Sequence, residues 1–261
     1  LVGSEMCIRD RVDNIINLKD KVIVITGAAS GIGREVAIVT SLQGARVIML
    51  DISQEGLDKT LSLLSGEKHC RIITNLANLN ELSDVVNGIV LKYGSIDGLV
   101  HCAGISSRKP LNVLKKEGFD NLMDVNFYSF VELVKLATKK NNFAFGGSIV
   151  AISSVSSIKG YKAKTEYCVS KAALDAAVRC FAQELIHKNI RVNTIMPGVV
   201  DTPMALNARI ISQTVGGETN EQQPLGNTQP REIANLVAFL LSDATNTITG
   251  TSIRIDGGLC M

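Results

Sequence analysis

The feature that most constrains this chain is an alternation of seven short runs rich in β-branched residues with stretches of helical period. The first run, "KVIVIT", ends at Thr26, and "ARVIML" leads to Asp51. "RIIT", "GLVHCA", "GSIVAIS", "RVNTIM" and "TSIRI" follow in order. Most are too uniformly apolar for strands with one wet face, so they suit strands buried on both faces. Between them the pattern predicts a helix through about Leu42 and others over Gln54 to Leu64, Leu79 to Tyr93 and Leu114 to Lys139. Further helices are expected over "TEYCVSKAALDAAVRCF" (Thr165 to Phe181) and from about Pro230 to Leu241. Strands that alternate with helices imply an α/β domain, a doubly wound parallel sheet of about seven strands with helices on both faces. Asn207 to Asn227 is polar and turn-rich and reads as a mobile loop or lid. With no linker, repeat or low-complexity segment, a single domain from residue 12 to 261 is expected.

Composition narrows the function. The chain has 261 residues, 46% hydrophobic and 20% charged, with a net charge of +2. That balance suits a globular domain and gives no electrostatic footprint for nucleic acid. No apolar run reaches the length of a membrane span, so a cytoplasmic protein is expected. The six cysteines form no C-x-x-C pair and have no histidine at ligand spacing. They read as buried thiols in a reducing compartment, with no metal site. The leading "LVGSEMCIRDR" shows no strand or capping pattern, and "MCIRDR" is what the mosaic end of a common sequencing-library transposon encodes in one frame. Residues 1–11 are therefore expected to be a non-native leader, which resequencing the gene would test.

The turn after the first run carries chemistry. "VITGAASGIGREVA" spaces Gly27, Gly31 and Gly33 as G-x-x-x-G-x-G. Gly27 lets the chain turn off the strand. Gly31 and Gly33, flanking Ile32, remove Cβ atoms where a pyrophosphate and a packed helix approach the backbone. The helix N-terminus then presents free N–H groups to phosphate, and Ser30 adds a hydroxyl donor. This is the strand–glycine turn–helix context of a Rossmann-type dinucleotide site. Asp51, at the end of the second run, stands where a carboxylate accepts from the adenosine ribose hydroxyls, and its other reading is a neighbour of a helix N-cap. A carboxylate there repels a 2′-phosphate, so NAD is favoured and NADP remains possible. Arg34, past the loop, is expected on the helix surface.

Tyr167 and Lys171 lie one helical turn apart as Y-x-x-x-K, and Ser154 stands thirteen residues upstream of the tyrosine. Together with "TGAASGIG", "CAG" (Cys102 to Gly104), Asn126 in "MDVNFYS", "RVNTIMPGVVDTPM" and "TGTSIRIDGG", these residues make the chain resemble the short-chain dehydrogenase/reductase family over about Leu18 to Leu259. The general look is that of the 3-oxoacyl-carrier-protein reductase-like branch. The resemblance implies that Tyr167 is general acid for carbonyl reduction and general base for alcohol oxidation. It implies that Lys171 binds the nicotinamide ribose and lowers the tyrosine's pKa, and that Ser154 bonds the reacting oxygen. Asn126 would support a proton-relay water. Ala103 and Gly104 would line the cofactor groove, and Val200 and Thr202, after Pro197 and Gly198, would meet the nicotinamide amide. Asn75, with Leu76 beside it, stands where the family often has an aspartate near the adenine. A free phenol titrates near pH ~10, and an adjacent ammonium favours the phenolate, which is the physical sense of the Tyr–Lys pairing.

The family's Asn-Asn-Ala-Gly is His101-Cys102-Ala103-Gly104 here, and His101 reads as a structural substitution. The expected activity is hydride transfer between a nicotinamide cofactor and a small or medium alcohol/carbonyl pair. Substrate choice is expected in Ile105 to Lys109, Val155 to Lys164 and the Met204–Asn227 segment. Other readings are a 3-hydroxyacyl, sugar or secondary-alcohol dehydrogenase of the same family and a non-catalytic NAD-binding sensor or scaffold. A nucleotide-sugar epimerase or dehydratase would share Y-x-x-x-K but normally carries a longer C-terminal substrate domain. The small, apolar faces of the helices around Asn126 and Tyr167, which related proteins pack between subunits, imply a homotetramer or homodimer.

Overall fold

The computed structural model describes residues 15–206 and 223–261. The expected leader and most of the expected lid lie outside the described residues.

Seven strands form one parallel sheet: β1 (Val22–Thr26), β2 (Arg46–Asp51), β3 (Cys70–Ile73), β4 (Ile96–His101), β5 (Phe143–Ile152), β6 (Arg191–Pro197) and β7 (Ser252–Ile255). Their order is β3-β2-β1-β4-β5-β6-β7, with every pairing parallel. The order reverses between β1 and β4, so a crevice opens above their carboxyl ends, the usual ligand position in such sheets. The uniform runs are explained by burial on both faces. Val22 and Val24 of β1 point into one apolar layer, Ile23 and Ile25 into the other.

The α-helices with both ends among the described residues are α1 (Gly31–Leu42), α2 (Gln54–Leu61), α3 (Leu82–Tyr93), α4 (Lys116–Met123), α5 (Ser129–Ala137), α6 (Thr165–Leu185) and α7 (Pro230–Leu241). α3, α5 and α6 cover one face through Val86, Phe130, Leu133, Leu174 and Val178. α1 and α7 cover the other through Val36, Ala37, Ile233 and Val237. Pro230 at the first position and a capping box between Gln229 and Glu232 start α7 where the sequence placed it.

The long helix expected over Leu114 to Lys139 is present as a continuous helical path from Lys116 to Ala137, widened into a π turn at Asp124–Tyr128 between α4 and α5. Asn126 in that turn bonds both backbone groups of Ile105. Two expectations are corrected. β4 stops at His101, short of "CA", because the N–H of Ala103 donates to Thr26 Oγ1. The cysteines are not uniformly buried: Cys180 is exposed on the outer side of α6, and Cys70, Cys102, Cys168 and Cys260 are half-buried and unbridged. Among the described residues no helix is long and apolar enough to cross a membrane, and no cluster of His, Cys, Asp and Glu could hold a metal ion.

Candidate active site

The glycine turn sits at the crevice. Gly27 adopts φ +67°, and a Cβ there would stand 2.7 Å from the Ala103 nitrogen, so the β1 and β4 ends approach as only glycine permits. A Cβ on Gly33 would collide with the Gly27 carbonyl. Ser30 precedes α1 with an extended backbone and makes no side-chain cap, which leaves the helix's first N–H groups for a ligand. Gly31, with φ +53°, faces the Thr202 side chain across the groove. The turn therefore fits the pyrophosphate of a dinucleotide.

Asp51 ends β2 with its carboxylate turned to this loop. It accepts from the Ala29 N–H at 3.0 Å and from the Ser53 N–H at 3.0 Å. Ser53 is the N-cap of α2, so the capping role lies with the serine and Asp51 steadies it. Arg34 corrects its expected place on the helix surface. It is half-buried, and its guanidinium reaches Ala29 O, Gly56 O and, at 3.0 Å, Thr60 Oγ1. Asn75 is exposed just past β3, and its side-chain oxygen is taken by the Ala77 N–H at 3.1 Å, while Leu76 is buried in the core.

From the crevice a cavity of about 720 Å³ runs across the carboxyl ends of β4, β5 and β6. Its walls include Ile32, Gly104, Ser154, Tyr167, Lys171 and the Pro197–Val200 and Thr202 turn. Of the sequence-predicted residues, these line the cavity, while Gly27, Ser30, Gly31, Gly33 and Asp51 form the adjoining glycine turn and its flank, Asn75 and Leu76 lie past β3, and Asn126 and Ala103 are not on the lining. The Ser154 hydroxyl accepts from the Ser156 N–H at 3.1 Å and lines the cavity with Tyr167. Lys171 Nζ lies 5.8 Å from the Tyr167 ring centre and donates to the Ile152 carbonyl at 2.8 Å. Asn126 is buried, and its side chain is committed: it accepts from Ile105 N at 2.8 Å and donates to Ile105 O at 3.0 Å and Ser170 Oγ at 2.9 Å. Ser170 in turn donates to the Tyr167 carbonyl at 2.8 Å, so Asn126 braces the helical turn that carries the tyrosine.

The electrostatics of the chain alone set the resting state of the pair. Burial pushes the Tyr167 phenol up to about 12, partly opposed by the Ser154 hydroxyl. Burial also lowers Lys171 to about 8, partly opposed by Asp175. Among the chain's own groups, loss of water outweighs the pairing, because the ammonium is turned to the Ile152 carbonyl. Cys102, also on the wall, is held up to about 12 by burial and stays a neutral thiol. His101 is fully buried against Phe130, and burial holds it down to about 3, so it stays neutral and takes no acid–base part near pH 7.

Three features escaped sequence reasoning. Gln223 is buried beneath the Pro197–Val199 turn and bonds Val199 on both backbone groups. Glu166, next to Tyr167, is buried and holds Ser107 and Lys109. Arg108 lines the cavity. Arg108 and Gln223 fall in segments assigned to substrate choice, whereas Glu166 had no sequence signal.

Comparison with known proteins gives the family. A family model described as enoyl-(acyl carrier protein) reductase matches residues 27–260. The 3-oxoacyl-[acyl-carrier-protein] reductase of Thermotoga maritima is 36% identical over 247 residues, 94% of this chain and 99% of that protein. The chain belongs to the short-chain dehydrogenase/reductase family. As a member of it, the protein is an oxidoreductase with the family's Rossmann fold. An NAD-dependent glycerol dehydrogenase of Listeria innocua is 32% identical, covering 94% of this chain and 96% of its own. A solved actinorhodin polyketide ketoreductase with NADPH superimposes with a TM-score of 0.86 at 28% identity, over 92% of this chain and 97% of that one.

Proposed function

We propose that this short-chain dehydrogenase/reductase uses NAD to interconvert a small or medium alcohol with its ketone or aldehyde, in the manner of a 3-oxoacyl reductase. One observation carries the reading. Tyr167 and Ser154, with Lys171 beside the phenol ring, line one cavity that reaches Ile32 at the start of α1. The nicotinamide cofactor supplies or accepts the hydride. Tyr167 holds the proton that the reacting oxygen gains in reduction, and its raised pKa keeps it protonated at neutral pH. Ser154 donates to the same oxygen and fixes its position. Lys171 stays largely cationic near pH 7 and stabilises charge that develops on the phenol during transfer. Asn126 acts through Ser170, and any relay water it supports would meet its main chain, since its side-chain atoms are engaged.

Asp51 supports NAD over NADP. A 2′-phosphate at the end of β2 would meet this carboxylate, and Arg34, the nearest compensating cation on α1, is bonded to Ala29, Gly56 and Thr60. The family itself does not decide, as relatives with either cofactor are similar to this chain. Self-association is also proposed: Val169, Ala172 and Ala176 form an exposed small-residue stripe on α6, and Tyr128 is exposed beside α5. A monomeric mass by light scattering would overturn that part.

The test is nicotinamide absorbance with NADH and NADPH against ketones, aldehydes and thioesters. Tyr167→Phe is expected to bind NADH and lose roughly 10²–10⁴ in turnover, the size of a general-acid contribution. Full turnover in that variant refutes the catalytic reading. Asp51→Ala should shift the NADH/NADPH preference toward NADPH, and an unchanged ratio refutes the role given to Asp51.

A further inference from the structure

The cavity wall has a chemistry that hydride transfer does not require. Its described residues include Arg108, Lys162, Lys164 and Lys171 and no aspartate or glutamate. Lys171 belongs to the acid–base set. The other three come from the loop after β4 and from the segment between Ser154 and α6, two stretches that line the cavity with Tyr167.

Arg108 is set apart by how its loop is held. Glu166, 1% exposed, accepts from Ser107 Oγ at 2.5 Å and from Lys109 Nζ at 3.3 Å. The Lys109 N–H also donates to the Ala163 carbonyl at 2.8 Å. Both neighbours of Arg108 are thus pinned toward α6, and the carboxylate that could have neutralised an arginine is occupied by them. Arg108 turns to the cavity between them. Its Nε is shut from solvent and has no hydrogen-bond partner among the described residues. Arg108 as a whole is half-buried, so a ligand in the cavity meets its exposed atoms, and the unpaired Nε shows that no protein acceptor among the described residues claims that donor. A guanidinium fork matches two oxygens of one anionic group, a geometry a lysine does not offer.

We propose that Arg108 anchors an anionic oxygen group on the substrate, a carboxylate or a phosphate. The substrate class is then a compact oxo or hydroxy acid, or a phosphate ester of similar size, rather than a neutral ketone. This rests on the oxidoreductase reading above. A cavity of about 720 Å³ that also admits the nicotinamide end leaves room for a small molecule.

The experiment compares matched pairs with the purified full chain. 3-Oxobutanoate is set against its methyl ester and its N-acetylcysteamine thioester, and dihydroxyacetone phosphate against dihydroxyacetone. The charged member of at least one pair is expected to have a kcat/KM higher by about 10-fold or more, and Arg108→Gln should collapse that ratio toward one, mainly through KM. Arg108→Lys should restore part of it. The two pairs tell carboxylate from phosphate. A neutral member used as well as or better than its charged partner in both pairs overturns the proposal and leaves the oxidoreductase reading standing. An unchanged ratio in Arg108→Gln also overturns the proposal. Binding is read separately as the Tm shift given by malonate and by inorganic phosphate. If no compound turns over, an Arg108-dependent shift upholds the anion site while the activity reading falls, and the absence of any such shift ends both.

Discussion

His101 provides a test in which the structure sets both the sign and the size. Its ring is buried against Phe130, with centroids 5.3 Å apart. Thr26 Oγ1 lies 3.0 Å from His101 Nδ1 and also accepts from the Ala103 N–H. Nε2 has no hydrogen-bond partner among the described residues. A second proton on the ring would place an unsolvated charge near Lys171. Burial first, then the Lys171 charge, accordingly lower the group from 6.5 to about 3. Below pH 6.5 the unfolded histidine binds a proton that the native one refuses until about pH 3. Unfolding therefore takes up a proton across that window, and stability falls as pH falls, by about 1.4 kcal/mol per pH unit. From pH 6.5 to 5.0 the loss is about 2 kcal/mol, a substantial part of the roughly 5–15 kcal/mol that holds a domain folded. Asp97 has a raised pKa and contributes with the opposite sign, but it is shared by any His101 variant and cancels in the comparison. Lys171 titrates in a window from about 8 to 10.5, above the range tested. The assay is urea unfolding followed by circular dichroism at fixed protein concentration, at pH 7.5 and 5.0, for the parent and His101→Asn. The variant should start less stable, through lost packing on Phe130, and lose about 2 kcal/mol less on acidification. Parallel losses in the two proteins would refute the buried neutral imidazole.

Two further substitutions test the frame around the site. Gly27→Ala places a Cβ 2.7 Å from the Ala103 nitrogen at a left-handed backbone position, so NADH affinity by fluorescence titration should fall at least tenfold, and wild-type affinity would show that β1 and β4 do not approach this closely. Arg191, buried at the start of β6, donates to Leu240 O at 2.6 Å, Thr245 Oγ1 at 2.6 Å and Ser242 O at 3.1 Å, closing the end of α7. Arg191→Met should cost about 2–4 kcal/mol in urea unfolding while NADH binding is kept, and a loss under 1 kcal/mol would mean that these acceptors find other partners.

The sheet was legible because each strand is short, parallel and covered on both sides, which forces a run of apolar residues with no polar alternation. α7 was legible because its start is written locally in Gln229, Pro230 and Glu232. The π turn was not, since no proline or glycine marks it. Asn126 in it reaches Ile105, twenty-one positions away, and a helical pattern contains no trace of that contact. Arg34 was misplaced for a similar reason. Its position on α1 suggested solvent, whereas α2 brings Gly56 and Thr60 within its reach.

Within the site, Tyr167 and Lys171 could be paired from sequence because one helix turn joins them. Ser154 and Asn126 came from resemblance, and no spacing would have produced them. Glu166 would pass in sequence for an ordinary acidic residue in the first turn of α6. It is buried because Gly118 of α4 leaves it the room: a Cβ at that position would collide with Glu166 Oε1. Charge states were the least legible, since they depend on how much water the fold removes. Burial leaves the resting pair as a neutral phenol and an ammonium. Carbonyl reduction begins from that state, whereas alcohol oxidation must first take a proton from a group near 12. An oxidised nicotinamide ring brings the positive charge that lowers this cost, so cofactor and chain together set the pH at which oxidation starts. The oxidation rate should then rise with pH until Lys171, near 8, gives up its own charge.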